Sequence, residues 1–382
     1  MTIDRPDRRA FLGLAAGAAT LPLMPSALRA APPALSSMLV VNALGGFEDP
    51  NPPAAPATPP RAPVLSPRLV ADARASGMNV VNQTIGYVAG DGDPFEDTMR
   101  EIATWEARFA AMPRDLLKVL TAADMLRAKR EGRIGVILGF QNAAMVGDDA
   151  TRIDIFANMG VRVIQLTYNP ANQIGDGSMA PGNRGLTPFG REVVARLNEM
   201  RVMVDLSHSG EQTCLDAARA STQPISINHT GCRALVDVPR NKTDAELRLV
   251  AERGGFVGIY FMPFLNPTSV ATAADVVAHI DHAINVCGED HVGIGTDGGT
   301  TGIDDMEAYR AAMRAEVAAR HAAGIGATGE NPDTVPFVAD LTGPGQFRRL
   351  VALLDARGYS TARIEKIMGL NFFNYAREVW GE

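Results

Sequence analysis

Eight short apolar runs, each followed by a stretch with helical spacing, limit the folds open to this chain. They occupy residues 38–44, 78–85, 134–140, 161–167, 202–206, 224–228, 256–262 and 291–295. Most are rich in Val, Ile and Leu without polar alternation, the pattern of strands covered on both faces. Among the intervening helices, residues 66–76 offer Ser66 as N-cap with Pro67 behind it, and Pro188 stands in the first turn of 187–200. Strand–helix–strand units keep one direction and one hand. Eight of them predict an α/β fold, a closed (β/α)8 TIM-type barrel, over an open doubly wound sheet. At 382 residues the chain is long enough for such a barrel.

The two runs at 202–206 and 224–228 carry the chemistry. Each is followed by an imidazole, His208 or His229, and parallel neighbours present their carboxyl ends on the same rim. Other strand ends add Gln141, Tyr168 and Asp297, with Arg240 just beyond the sixth. Two imidazoles and a carboxylate are three good zinc ligands, or two ligands and a base. Arg240 near such a rim is a fork for a substrate carboxylate. Trp105 and Phe109 share one helix face and are expected in the core. Residues 170–184, polar and glycine-bearing, are a candidate lid, and the proline-rich 47–62 a loop over the rim.

Residues 1–30 stand apart. Arg8-Arg9 precedes a short apolar stretch and then small residues, the order of a twin-arginine signal peptide. The expected location is therefore periplasmic, with a single barrel domain over 31–382 and no stable membrane anchor. A net charge of −7 without a basic run argues against nucleic acid as a partner. Three cysteines, Cys214, Cys232 and Cys287, are too few and scattered for a disulfide framework.

Taken together, Leu166-Thr167-Tyr168-Asn169, Gly185-Leu186-Thr187-Pro188-Phe189-Gly190, Val204-Asp205-Leu206-Ser207-His208, Asn228-His229-Thr230, Pro239-Arg240-Asn241, Gly293-Ile294-Gly295-Thr296-Asp297 and Gly369-Leu370-Asn371-Phe372 resemble the membrane (renal-type) dipeptidases of the amidohydrolase superfamily. That resemblance implies a metal-dependent hydrolase barrel, dipeptides as substrates, two zinc ions joined by a glutamate, and often a homodimer. It makes His208 and His229 ligands of the second metal. Arg240, with Asn241 beside it, becomes the grip on the substrate carboxylate, and Asp297 the residue that handles the proton of the attacking water.

The chain departs from this pattern at three places. Where the family has His-x-Asp after the first strand, it reads Leu44-Gly45-Gly46; the bridging glutamate falls on Gln141; the histidine after strand four falls on Tyr168. Glu48 and Asp49 could fold back to substitute. The expectation is one zinc on His208 and His229 with Gln141 or Asp297, with Tyr168 donating to the oxyanion. Two alternatives stand beside it: a small-molecule binding protein without turnover, and metal-assisted hydrolysis of a non-peptide amide or lactam.

Overall fold

The computed structural model describes residues 34–51, 64–324, 331 and 334–381. The expected signal peptide and most of the proline-rich loop lie outside these residues. Nine strands form one sheet: β1 Val41–Gly45, β2 Val80–Thr84, β3 Leu116–Lys118, β4 Ile134–Phe140, β5 Val161–Gln165, β6 Met203–Asp205, β7 Ser226–Thr230, β8 Phe256–Ile259 and β9 Val292–Ile294. All pairings are parallel, in the order β1-β2-β4-β5-β6-β7-β8-β9, with β3 added beside β4. β3 is not among the eight runs: Lys118 interrupts the apolar stretch to which it belongs. The other eight correspond to the apolar runs and alternate with helices, as a (β/α)8 barrel requires.

Side chains complete the ring. The Asn42 amide donates to Thr296 Oγ1 at 2.8 Å, and its carbonyl oxygen accepts from the Thr296 N–H at 2.8 Å. Next to this clamp, the Asp297 N–H reaches the Leu44 carbonyl at 3.0 Å, and Gly45 bridges Gly298. Gly45 permits the approach: a Cβ there would stand 2.2 Å from Asn42 Nδ2. Because Asn42 is buried, truncation leaves the Thr296 N–H unpaired, while the Thr296 hydroxyl keeps its bond to the Gly298 carbonyl at 3.0 Å. Asn42→Ala is expected to cost about 1–3 kcal/mol for the donor left unpaired, seen as a lower urea midpoint at unchanged slope.

Strand periodicity sorts the core into two layers. Val40, Val81, Leu138 and Ile164 point outward against the helices, in a cluster with Trp105, Phe140 and Phe156. Val41, Val80, Ile137 and Val163 point inward with Phe256. There the helix Asn371–Trp380 supplies Phe372, Tyr375 and Val379 as a floor beneath the strands; Phe256 meets Phe372 edge-on at 5.2 Å. Trp105 is buried and contacts Phe109 at 5.8 Å between centroids, as a core pair should.

Helix starts follow the expected caps. Ser66 accepts from the Leu69 N–H, and Thr187 from the Gly190 N–H. Among the described residues, no helix is long and apolar enough to cross a membrane.

Candidate active site

Beyond β6 the chain turns sharply, and a buried carboxylate holds the turn. Asp205 Oδ1 accepts from the N–H groups of Ser207 and Asn228, each at 3.0 Å, and from the Ser207 hydroxyl. Ser207 Oγ in turn accepts from the His229 N–H at 3.1 Å. This network locks the loop after β6 to β7 and brings His208 and His229 together, with ring centroids 4.9 Å apart. Tyr168, after β5, stacks on His208 at 4.3 Å. Asp297, after β9, places Oδ2 3.9 Å from His229 Nε2. Its φ of 59° is a left-handed conformation that Asp tolerates better than most residues and that often marks a working site.

Arg240 lies in the same rim, almost fully buried. One Nη donates to the Ser207 carbonyl at 2.7 Å; the other lies 3.1 Å from His208 Nε2. A guanidinium has no acceptor, so His208 Nε2 must be the lone-pair nitrogen and Nδ1 carries the proton. Nδ1 accordingly meets the side-chain oxygen of Asn169, Oδ1, at 2.7 Å. Burial, reinforced by the Arg240 charge, holds both imidazoles well below their ordinary pKa, and so neutral. His229 is fully buried, and neither ring nitrogen has a hydrogen-bond partner.

Above the rim is a cavity of about 370 Å³ lined by Gln141, Tyr168, Asn169, His208, Arg240 and Asp297. Its roof is the helix Met306–Ala322, which contributes Tyr309, Met313, Glu316 and Arg320. Glu48 does fold back onto this cavity, as the sequence allowed. Burial, then the Glu316 charge, raises its pKa. Burial also pushes the Asp297 carboxyl up to about 7, with Glu48 adding to the rise and Arg240 opposing it. The Tyr168 hydroxyl is raised by burial and pulled back by the charge of Arg320, which also donates a hydrogen bond to it. As Arg320 can only donate, the Tyr168 proton stays free for a ligand.

Two sequence expectations change here. Asn241 does not face the cavity. It is fully buried, its amide donates to the carbonyls of Val236 (2.8 Å) and Phe264 (3.0 Å), and its oxygen accepts from Tyr260 at 2.6 Å. All its polar atoms are committed to bracing the loop that carries Arg240. Residues 170–184 are not a lid: Asp176 is paired with Arg184, Gly177 bridges Ser209, and the Ser178 N–H donates to the His208 carbonyl at 2.7 Å. The loop buttresses His208 from the side.

The donors do not fit a zinc centre. Gly46 has no side chain to ligate with, and a Cβ there would stand only 3.1 Å from the Gln83 carboxamide, which occupies the adjoining space. Gln141, expected as a ligand, donates its amide N–H to Thr84 Oγ1 at 2.7 Å and has only a neutral carboxamide oxygen to offer an ion. The one lone pair of His208 faces a guanidinium, so the strong donors of the rim are cut to His229 and Asp297, joined at most by the neutral carboxamide oxygen of Gln141 and by Glu48, whose charged form burial disfavours. Among the described residues, no group of three or more His, Cys, Asp and Glu side chains is arranged to hold a metal ion.

A parallel barrel that gathers a carboxylate, a guanidinium and a tyrosine hydroxyl at its carboxyl-end rim has them where barrel enzymes carry their chemistry. Residues 81–328 match the membrane dipeptidase family, peptidase family M19, and the chain belongs to that family. A dipeptidase from Claviceps purpurea is 31% identical over 262 residues, 68% of this chain and 54% of the relative. The chain thus spans about half the length of that curated relative. An uncharacterised protein encoded in the region 5′ of pqqA in Klebsiella pneumoniae is 28% identical, covering 76% of this chain and 98% of its own. Among solved structures, an amidohydrolase from Pseudomonas aeruginosa is 29% identical with a TM-score of 0.76, covering 91% of this chain and 98% of that one.

Several working residues escaped the sequence reading. Asn169 stood beside Tyr168 but was not assigned to His208. Tyr309, Glu316 and Arg320 fall at i, i+7 and i+11, one face of a helix, a polar stripe that could have been noticed. Nothing in that spacing says that the face looks into a cavity.

Proposed function

We propose that the chain is a dipeptidase-like hydrolase acting on a dipeptide, or a similar small amide with a free carboxylate. The observation that carries this reading is that Asp297 and Arg240 line one cavity, with His229 Nε2 3.9 Å from the carboxylate. Arg240 spends two donors on the protein and keeps the rest for a ligand carboxylate. Asp297 accepts a proton from water as the water oxygen bonds to the amide carbon. The developing oxyanion is met by the Tyr168 hydroxyl. Asp297 then returns the proton to the amine nitrogen as the C–N bond breaks, giving a carboxylic acid and an amine, which exchange a proton to leave as carboxylate and ammonium. A pKa of about 7 suits an acid–base residue working near neutrality. Export by the twin-arginine route would place this chemistry in the periplasm.

The test is a panel of dipeptides against the same peptides amidated at the carboxyl end. Losing a charge-assisted contact to Arg240 is expected to raise KM by roughly 10- to 100-fold. Equal cleavage of free and amidated peptides would remove Arg240 from this role. A second reading, a binding protein without turnover, is favoured by the guanidinium over His208, which leaves that imidazole unable to activate a metal-bound water. It predicts a raised Tm with free-carboxylate peptides and no product.

A further inference from the structure

We infer that the Arg240 guanidinium holds the place of the metal at this rim, so that the cavity takes its anionic ligand without a divalent cation. This rests on the reading of the rim as the working site. Arg240 satisfies the single lone pair of His208 at 3.1 Å and is fixed there by the Ser207 carbonyl at 2.7 Å. The opposite nitrogen of the ring is pinned by Asn169 at 2.7 Å, so the imidazole cannot turn its lone pair elsewhere without breaking both contacts. A cation bridging His208 and His229 would have to displace a positive group from a buried pocket.

The neighbourhood agrees with this exchange. In place of the carboxylates that a metal would need, the chain has Gly46, with the Gln83 carboxamide against it, and Gln141, held by Thr84. Without those anionic ligands a divalent cation is held weakly, and the positive charge beside the two imidazoles is then the one Arg240 carries. A planar guanidinium with unspent N–H groups recognises carboxylate directly, by paired hydrogen bonds.

The experiment compares the mature chain with Arg240→Met, each isolated without chelator, by elemental analysis and by titration with zinc chloride. The parent is expected to carry less than about 0.1 zinc per chain and to give no binding heat. Arg240→Met frees the His208 lone pair beside His229 and Asp297, and is expected to take up about one zinc. Near-stoichiometric zinc in the parent overturns the inference. So does a folded Arg240→Met that binds none, because Arg240 would then not be what excludes the ion. Should that variant fail to fold, ¹⁵N spectra of the parent's histidine side chains decide: the acceptor signal of His208 Nε2 must stay unmoved when zinc is added, and a shift overturns the inference. Zinc content is read without substrate, so failure of peptide cleavage leaves this result standing, and zinc in the parent leaves the amidated-peptide comparison standing.

Discussion

Asp297→Asn is expected to lower kcat on dipeptides by roughly 10²- to 10⁴-fold while leaving KM within a few-fold of the parent. The amide matches the carboxylate in shape and keeps the contact with the barrel seam, since that contact is made by the backbone N–H of residue 297. What it loses is the ability to take a proton. The pH profile should change with it. In the parent, Asp297 works deprotonated, and burial has raised its pKa to about 7, so the rate should climb as pH rises through neutrality. That rising limb should vanish from whatever activity the variant retains. The same shift bears on stability with the opposite sign. Between 3.8 and about 7 the folded chain holds a proton that the unfolded chain has released, so this group's contribution declines as pH rises through that window. Unchanged kcat in the variant would dismiss Asp297 as the proton carrier.

Lys242→Met should be among the most destabilising single changes, about 3–5 kcal/mol by denaturant titration. Lys242 Nζ pairs with Glu246 Oε1 at 3.1 Å, both side chains at most 2% exposed, and also donates to the Ser209 carbonyl behind the His208 turn. Glu246 has a second duty, accepting from the Thr243 N–H at 2.8 Å to cap the helix Asp244–Glu252. Removing the lysine therefore leaves a buried carboxylate that cannot withdraw without uncapping the helix. The double variant Lys242→Met, Glu246→Gln removes the stranded charge but keeps a capping oxygen, and should recover most of the loss. If the single variant proved as stable as the parent, the pair would not be anchoring this turn.

The barrel was legible in the sequence because burying both faces of a strand leaves a mark at every position. The runs before His208 and His229 could hardly serve any other element, and two imidazoles at adjacent strand ends had to converge. What could not be read was the use each polar atom makes of its neighbours. Arg240 and His208 are 32 positions apart, and nothing local tells that the guanidinium faces the imidazole rather than a ligand alone. Asn241, next to Arg240, invited assignment to the substrate, whereas its amide completes backbone groups under the loop. The polar loop at 170–184 looked free to open because glycine and polarity record an absence of core packing, while its ties to Ser209 and His208 are made through the main chain.

The Asn42–Thr296 clamp lies one residue from Asp297, on the join between the first and last staves of the barrel. A cylinder assembled from separate staves is weakest where its two ends meet, and Asp297, the proposed proton carrier, is mounted on that join. Brief parting of the hoop would misaim the base while every helix remained folded. Warming should therefore silence the enzyme reversibly at temperatures where its circular dichroism is still intact.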